Sequence, residues 1–153
     1  INEGKNVIIA RTFSKIQGMA GLRVGYIVAQ TETLDIIQKI TRGGMGISLP
    51  SVYAGMVSME DVAFKDKSRK LNKECREYVY ENLDRLGFEY VPSSTSFIIF
   101  PIEMDGKPFL EKMTAEGVGV RAFEIYGKNW CRVSMGTMDE MKLFTAALEK
   151  VLV

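Results

Sequence analysis

Thr12-Phe13-Ser14-Lys15-Ile16-Gln17-Gly18-Met19-Ala20-Gly21-Leu22-Arg23-Val24-Gly25-Tyr26 is the stretch around which the chain is organised. It follows the short apolar run Val7 to Ala10 and leads into a second, Val24 to Ala29; each reads as a buried strand. One lysine, Lys15, therefore stands at the mouth of a sheet. Hydroxyls at Thr12 and Ser14, backbone amides freed by Gly18, Gly21 and Gly25, and the guanidinium of Arg23 form a donor set suited to a phosphate. By composition alone the same residues read as a solvated lysine and a surface arginine, because lysines are mostly exposed.

The rest of the chain bounds what this stretch can serve. With 153 residues, 46% hydrophobic and 25% charged, it is long enough for one full core and ordinary for a soluble folded protein. A net charge of +1 from 20 basic and 19 acidic residues supplies no basic stripe, so neither nucleic acid nor a membrane surface is expected as a partner. The longest strongly apolar segment, Phe97 to Ile102, contains Pro101 and falls far short of the roughly 20 residues that span a bilayer. No basic-then-apolar leader opens the chain, and the cytoplasm is the expected location.

Cys75 and Cys131 stand too far apart for a C-x-x-C pattern and read as two free thiols. Histidine is absent, which removes Ser-His-Asp and Cys-His catalysis together with His-ligated metal sites. No metal is expected, and any general base must be another residue.

The chain starts at Ile1 and enters a strand within a few residues, as though cut from something longer. Thr31-Glu32-Thr33-Leu34 predicts a helix start with a hydroxyl cap and an acid in the first turn, continued by Leu34, Ile36, Ile37 and Ile40 at helical spacing. A break follows at Arg42-Gly43-Gly44-Met45-Gly46, and Leu49-Pro50-Ser51 opens a second helix through Met59. From Val62 to Leu86 a long amphipathic helix is predicted, with Leu71, Cys75, Tyr78, Val79, Asn82, Leu83 and Leu86 as its buried stripe and Gly87 as its stop. Such a helix can carry the chain between domains, and the boundary is placed within it.

Beyond it, Phe88 to Val91 and Ser96 to Phe100 read as strands parted by the turn-rich Pro92-Ser93-Ser94-Thr95. Lys107 to Glu116 reads as a helix closed by Gly117, Val118 to Phe123 and Trp130 to Met135 as strands, and Met138 to Leu152 as a terminal helix with Met141, Phe144, Leu148 and Val151 on one face. This alternation predicts a compact α+β unit.

The string T-F-S-K-x-x-G-M-A-G-L-R-V-G-Y closely resembles the Schiff-base lysine segment of the fold-type I, pyridoxal-phosphate-dependent aminotransferases. The nearest branch is the class I/II one that includes histidinol-phosphate and aromatic aminotransferases. Gly119-Val120-Arg121-Ala122-Phe123 with Tyr126-Gly127 resembles the family's G-x-x-V-R-x-x-x-x-Y-G segment, and Cys131-Arg132-Val133-Ser134-Met135-Gly136-Thr137 its L-R-I-S-x-G-T strand. The resemblance runs from about Val7 to the C-terminus.

It implies a cofactor, pyridoxal 5'-phosphate, held covalently by Lys15, with Thr12 and Ser14 as the phosphate-side hydroxyls and Arg23 as the phosphate arginine. Lys15 would then serve as the general base and acid of amino-group transfer. Arg132 matches the arginine that binds the substrate α-carboxylate, for which its planar fork is suited. Arg121 matches an arginine near the substrate phosphate in histidinol-phosphate aminotransferases; a structural salt bridge is its other reading. Ser96 stands where many relatives carry asparagine before phenylalanine, in a strand facing the substrate, and this departure leaves its role open. The break at 42–46 lies near the active-site mouth in the family and is otherwise a plain interhelix loop.

The implied fold is α/β, the C-terminal part of the PLP-dependent transferase fold. Residues 1–75 would be a remnant of the large-domain sheet with the start of the linking helix, and 76–153 the whole α+β small domain. Family members are more than twice as long, and their N-terminal half carries a glycine-rich phosphate loop, a ring stacked on the cofactor and the aspartate on the pyridinium nitrogen. The chain is therefore expected to be a C-terminal portion, inactive alone, of a homodimeric enzyme whose partners are a small amino acid and a 2-oxo acid. Two alternatives stand beside it: a fold-type I relative that shares the lysine segment, such as a phosphothreonine-type decarboxylase or a carbon–carbon synthase, and a non-catalytic scaffold or interaction module on the same fold.

Overall fold

A computed structural model of the chain describes residues 1–41 and 43–152. It divides into two compact units, Ile1–Ser68 and Arg69–Val153. The division falls inside the long helix Val62–Arg85, the helix nominated from sequence, ahead of the boundary expected after Cys75.

Unit 1 begins with a ribbon of two antiparallel strands, β1 (Ile9–Thr12) and β2 (Gly25–Val28), in register from Ile9↔Val28 to Thr12↔Gly25. Gly25 cannot be replaced by a larger residue without moving the ribbon, since a Cβ there would lie 2.5 Å from the Arg11 carbonyl oxygen. Two helices follow, α1 (Thr31–Ile40) and α2 (Leu49–Glu60), and then α3 (Val62–Arg85), whose first turns belong to this unit. Ser48 caps α2 by accepting the Ser51 N–H at 3.3 Å, with Pro50 in the first turn, where its missing N–H costs nothing. Asp61 Oδ1 accepts the Phe64 N–H at 2.9 Å and so caps α3.

Two expectations are corrected here. The hydroxyl cap predicted at Thr31 is not made: Thr31 is already helical, Gln30 holds the cap position, and no side chain closes it. The two strands predicted as buried are exposed along their length, with Ile9, Ile27 and Val28 at 40%, 41% and 42%. Apolar strands of this kind belong in sheets covered on both faces, and among the described residues of unit 1 each strand has one neighbour only. Of the break predicted at 42–46, Arg42 lies outside the described residues, and Gly43–Gly46 forms a short 3-10 turn.

In unit 2 the remainder of α3 is followed by β3 (Phe97–Ile102), α4 (Gly106–Ala115), β4 (Arg121–Ile125), β5 (Lys128–Ser134) and α5 (Met138–Leu152). The strands form an antiparallel sheet in the order β3-β5-β4. Ile98, Phe100 and Ile102 alternate along β3 and, with Cys131 and Val133 of β5, form one core cluster with Cys75, Val79 and Leu83 of α3, Phe109 and Met113 of α4, and Met141, Phe144 and Leu148 of α5. Spacings of two in the strands and four in α3 put these residues on single faces. Pro101 is tolerated because β3 is an edge strand.

Both predicted glycine stops close their helices in the same way. Gly87 (φ +80°) and Gly117 (φ +78°) adopt the left-handed conformation, and the following N–H groups reach back, Phe88 to Leu83 O and Val118 to Met113 O, each at 2.9 Å. The predicted strand Phe88 to Val91 reduces to one bridge, Val91↔Ile99. Pro92 has no N–H to extend that ladder, and Ser93 turns the chain by donating its N–H to Tyr80 Oη at 2.6 Å and its hydroxyl to Phe97 O at 2.6 Å. β4 starts at Arg121 rather than Val118, and it joins β5 through Tyr126 (φ +51°) and Gly127 (φ +73°), the positive pair that a two-residue hairpin requires.

Candidate functional site

The loop between β1 and β2 is closed at its base by the pair Thr12↔Gly25. Above it, Phe13 N–H donates to Val24 O at 3.3 Å, Met19 N–H to Phe13 O at 3.0 Å, and Gly18 N–H to Lys15 O at 2.9 Å. Lys15 thus opens a tight turn that Gly18 completes with φ +68°, and its side chain is exposed.

Two ties fix this loop to α2. Phe13 is 4% exposed, lies 5.5 Å from the Tyr26 ring, and passes beneath Gly55 of α2. Ser51 of the same helix is 1% exposed and donates its hydroxyl to Leu22 O at 2.8 Å. One tie falls on each side of Lys15, so α2 holds both arms of the loop.

The donors cluster as follows. Thr12 Oγ1 accepts the Ser14 N–H at 3.0 Å and donates to Ser14 Oγ at 2.8 Å, which leaves the Ser14 hydroxyl proton free to donate outward. Arg23 ends the 3-10 turn Ala20–Leu22 in the left-handed conformation (φ +49°) and donates Nη1–H to Ala20 O at 2.9 Å. A non-glycine residue held there costs on the order of 1 kcal/mol and points to a function for the local geometry. Because Thr12 and Gly25 face each other, Thr12, Ser14, Lys15 and Arg23 all stand at the same end of the ribbon. The ion pairs of the described residues lie elsewhere, so neither cation is committed to a carboxylate. An exposed amine at the same ribbon end as the free Ser14 hydroxyl proton and the remaining Arg23 N–H groups fits a ligand that carries a carbonyl and a phosphate.

Unit 2 brings together a second set. Arg132 of β5 stands directly opposite Arg121 of β4, and both line a cavity of about 240 Å³ with Gly119, Val120 and Ser134. The Arg132 guanidinium carbon lies 4.2 Å from the centre of the Phe97 ring, and its buried Nε has no hydrogen-bond partner. No ion pair among the described residues involves Arg121, so the salt bridge that was its other reading is not among them. Like charges facing each other across a ladder repel, and a shared anion turns that repulsion into attraction. Ser96 does not line this cavity; it is exposed, and its carbonyl accepts the Met135 N–H at 2.8 Å. A larger hollow of about 690 Å³ opens beside Phe88, Glu103 and Lys128, and none of the residues singled out from sequence lines it.

Both thiols are free and fully buried. Burial pushes the Cys131 thiol far up, and it raises that of Cys75 with help from the carboxylates of Glu74 and Glu140. Neither is a nucleophile, because thiolate is the reactive form. Among the described residues no cluster of Cys, Asp and Glu side chains could hold a metal ion, and no helix is long and apolar enough to cross a membrane.

The family model for aminotransferase class I and II matches residues 1–148. A histidinol-phosphate aminotransferase from Moorella thermoacetica is 38% identical over 148 residues, covering 96% of this chain and 38% of the relative. A histidinol-phosphate aminotransferase 1 from Dechloromonas aromatica is 37% identical over 153 residues, covering 99% and 42%. The solved structure of histidinol-phosphate aminotransferase from Sinorhizobium meliloti, in complex with pyridoxal-5'-phosphate, matches with a TM-score of 0.83 at 28% identity over 95% of this chain and 41% of that one. The chain therefore spans about two fifths of the curated relatives it matches. With nearly its whole length matched by the family model, and its fold shared with a solved member, the chain belongs to the class I and II aminotransferases.

Proposed function

We propose that the chain carries the cofactor lysine and the substrate-anion arginines of a pyridoxal-phosphate-dependent aminotransferase that moves an amino group between histidinol phosphate and a 2-oxo acid. The observation that carries this reading is the exposed Lys15 amine grouped at one ribbon end with Thr12, Ser14 and Arg23. Relatives named for histidinol phosphate at 37% and 38% identity support the substrate.

When bound, the cofactor supplies the electron sink that withdraws charge from the substrate Cα. Thr12, Ser14 and Arg23 would hold its phosphate, and the Lys15 amine would hold its carbonyl carbon. Once the substrate amino group has displaced it from that carbon, the freed Lys15 amine would take a proton from the substrate Cα and return one. Arg132, with Arg121, grips the anionic group of the substrate and fixes its orientation; a guanidinium fork gives both direction and charge. Ser96 is assigned to the substrate side of unit 2, in the place of the family's asparagine.

The working enzyme is proposed to be longer than this chain and to be a homodimer, with residues 1–75 as part of its large domain and 76–153 as its small domain. Coverage of about two fifths of the relatives supports this, as does the apolar surface that unit 1 leaves exposed. The chain alone is accordingly proposed to be inactive. Two unpaired buried thiols fit a reducing compartment such as the cytoplasm.

The test is amino transfer from histidinol phosphate to a 2-oxo acid by the whole protein. Lys15→Ala is expected to lower kcat by about a hundredfold or more, and Arg132→Gln to raise KM. Unchanged transfer in Lys15→Ala would overturn the reading, and release of carbon dioxide from an α-amino acid offered in place of histidinol phosphate would move it to a decarboxylase.

A further inference from the structure

The Arg132 side chain is placed by contacts that none of its charged neighbours provides. Across β4 it faces Arg121, and across β3 it faces Ile99, so its two direct cross-strand partners are a like charge and an aliphatic chain. Its Nε is buried with no acceptor. Left to these contacts, the guanidinium would swing away from Arg121 into water, since like charges directly opposite destabilise a ladder.

One group opposes that movement. Phe97 pairs with Ser134, which puts it diagonal to Arg132 on the same sheet face, a spacing that an aromatic ring can reach. The guanidinium carbon lies 4.2 Å from the ring centre. Stacked there, a guanidinium is attracted by the ring face while its in-plane N–H groups stay free. Arg132 lines a cavity together with Gly119, Val120, Arg121 and Ser134.

We propose that Phe97 is the positioning residue for Arg132: its ring fixes the plane of the guanidinium against the repulsion of Arg121 and so keeps the N–H edge open for an anion. The inference rests on Arg132 being the anion-binding arginine of the function proposed above. Phe97 touches neither the anion nor the reacting atoms in this account, and its effect passes through Arg132.

The test titrates the 153-residue chain with inorganic phosphate at fixed ionic strength, following the arginine Nε–H signals by NMR. In the wild-type chain the Arg132 Nε–H resonance is expected upfield of the other arginines because it lies over the ring, and phosphate is expected to shift it. Phe97→Leu, which keeps apolar volume and removes the ring face, is expected to abolish the upfield position and weaken phosphate binding roughly three- to tenfold. Phe97→Tyr, which keeps the ring, is expected to retain both. An Arg132 signal without the upfield shift in the wild type overturns the proposal whatever the variants do. Equal phosphate affinity in Phe97→Leu and wild type overturns it as well, provided Arg132→Gln still loses binding. If Arg132→Gln binds phosphate as the wild type does, the anion role of Arg132 fails, and the positioning role with it.

Discussion

Residues 69–153 bury fourteen apolar side chains in one cluster, whereas among the described residues of 1–68 Phe13 alone is an apolar side chain buried to that degree. The contrast is not one of composition. Helix α2 carries Leu49, Val52, Tyr53, Met56, Val57 and Met59, all exposed and gathered on one side of the helix, away from the buried Ser51 and Gly55, an apolar face suited to being covered. The ribbon adds Ile9, Ile27 and Val28. Unit 2 thus satisfies its own apolar surface, while unit 1 presents more than single scattered residues would explain. A fixed anion cavity can be built on the first kind of unit; the lysine loop, on the second kind, is held locally by Phe13 and Ser51.

The comparison breaks most sharply if the units are separated. Residues 69–153 alone are expected to unfold in one cooperative urea transition, and residues 1–68 alone to show none; a cooperative transition in 1–68, followed by circular dichroism, would undo the contrast. Next in size come side-chain truncations in the intact chain. Phe100→Ala, in the centre of unit 2, is expected to cost about 3–5 kcal/mol, and Ile40→Ala, at 81% exposure in unit 1, less than about 0.5 kcal/mol. Urea midpoints for the two variants measure the difference directly. Gly117→Ala should cost about 1–2 kcal/mol, since its left-handed φ of +78° is strained for any residue with a Cβ.

The smallest expected effect is electrostatic. Glu140 accepts the Thr137 N–H at 2.7 Å and the Thr137 hydroxyl at 3.0 Å at the start of α5, and these bonds hold its carboxyl below the usual range. A carboxyl with a depressed pKa in the folded state stabilises above its unfolded pKa, and this stabilisation fades as pH falls through the folded value. The gap in urea midpoint between wild type and Glu140→Gln should therefore be present at neutral pH and close in acid. A gap that stays constant across that range would contradict the capping role.

Periodic features of unit 2 were legible in the sequence because they are local. The helix Met138–Leu152 and the stops at Gly87 and Gly117 follow from spacing and from one residue type. The reciprocal cap of Thr137 and Glu140 is equally readable as T-x-x-E. Exposure of β1 and β2 was not legible: an apolar run states that a strand is suited to cover, not whether cover is present. The lysine-loop residues were marked by their types and spacing. The residues that hold them were not, because Phe13 beneath Gly55 and Ser51 on Leu22 O are contacts between positions far apart in the chain. Phe97 over Arg132 likewise depends on the register of β3 against β5, which no local pattern encodes.

The most direct test of the account is borohydride reduction of the whole protein in the presence of pyridoxal 5'-phosphate, followed by mass mapping of the modified lysine. A single label on Lys15 is expected, lost in Arg23→Ala if that guanidinium holds the phosphate. A label on another lysine, with Lys15 unmodified in an enzyme that still transfers amino groups, would contradict it.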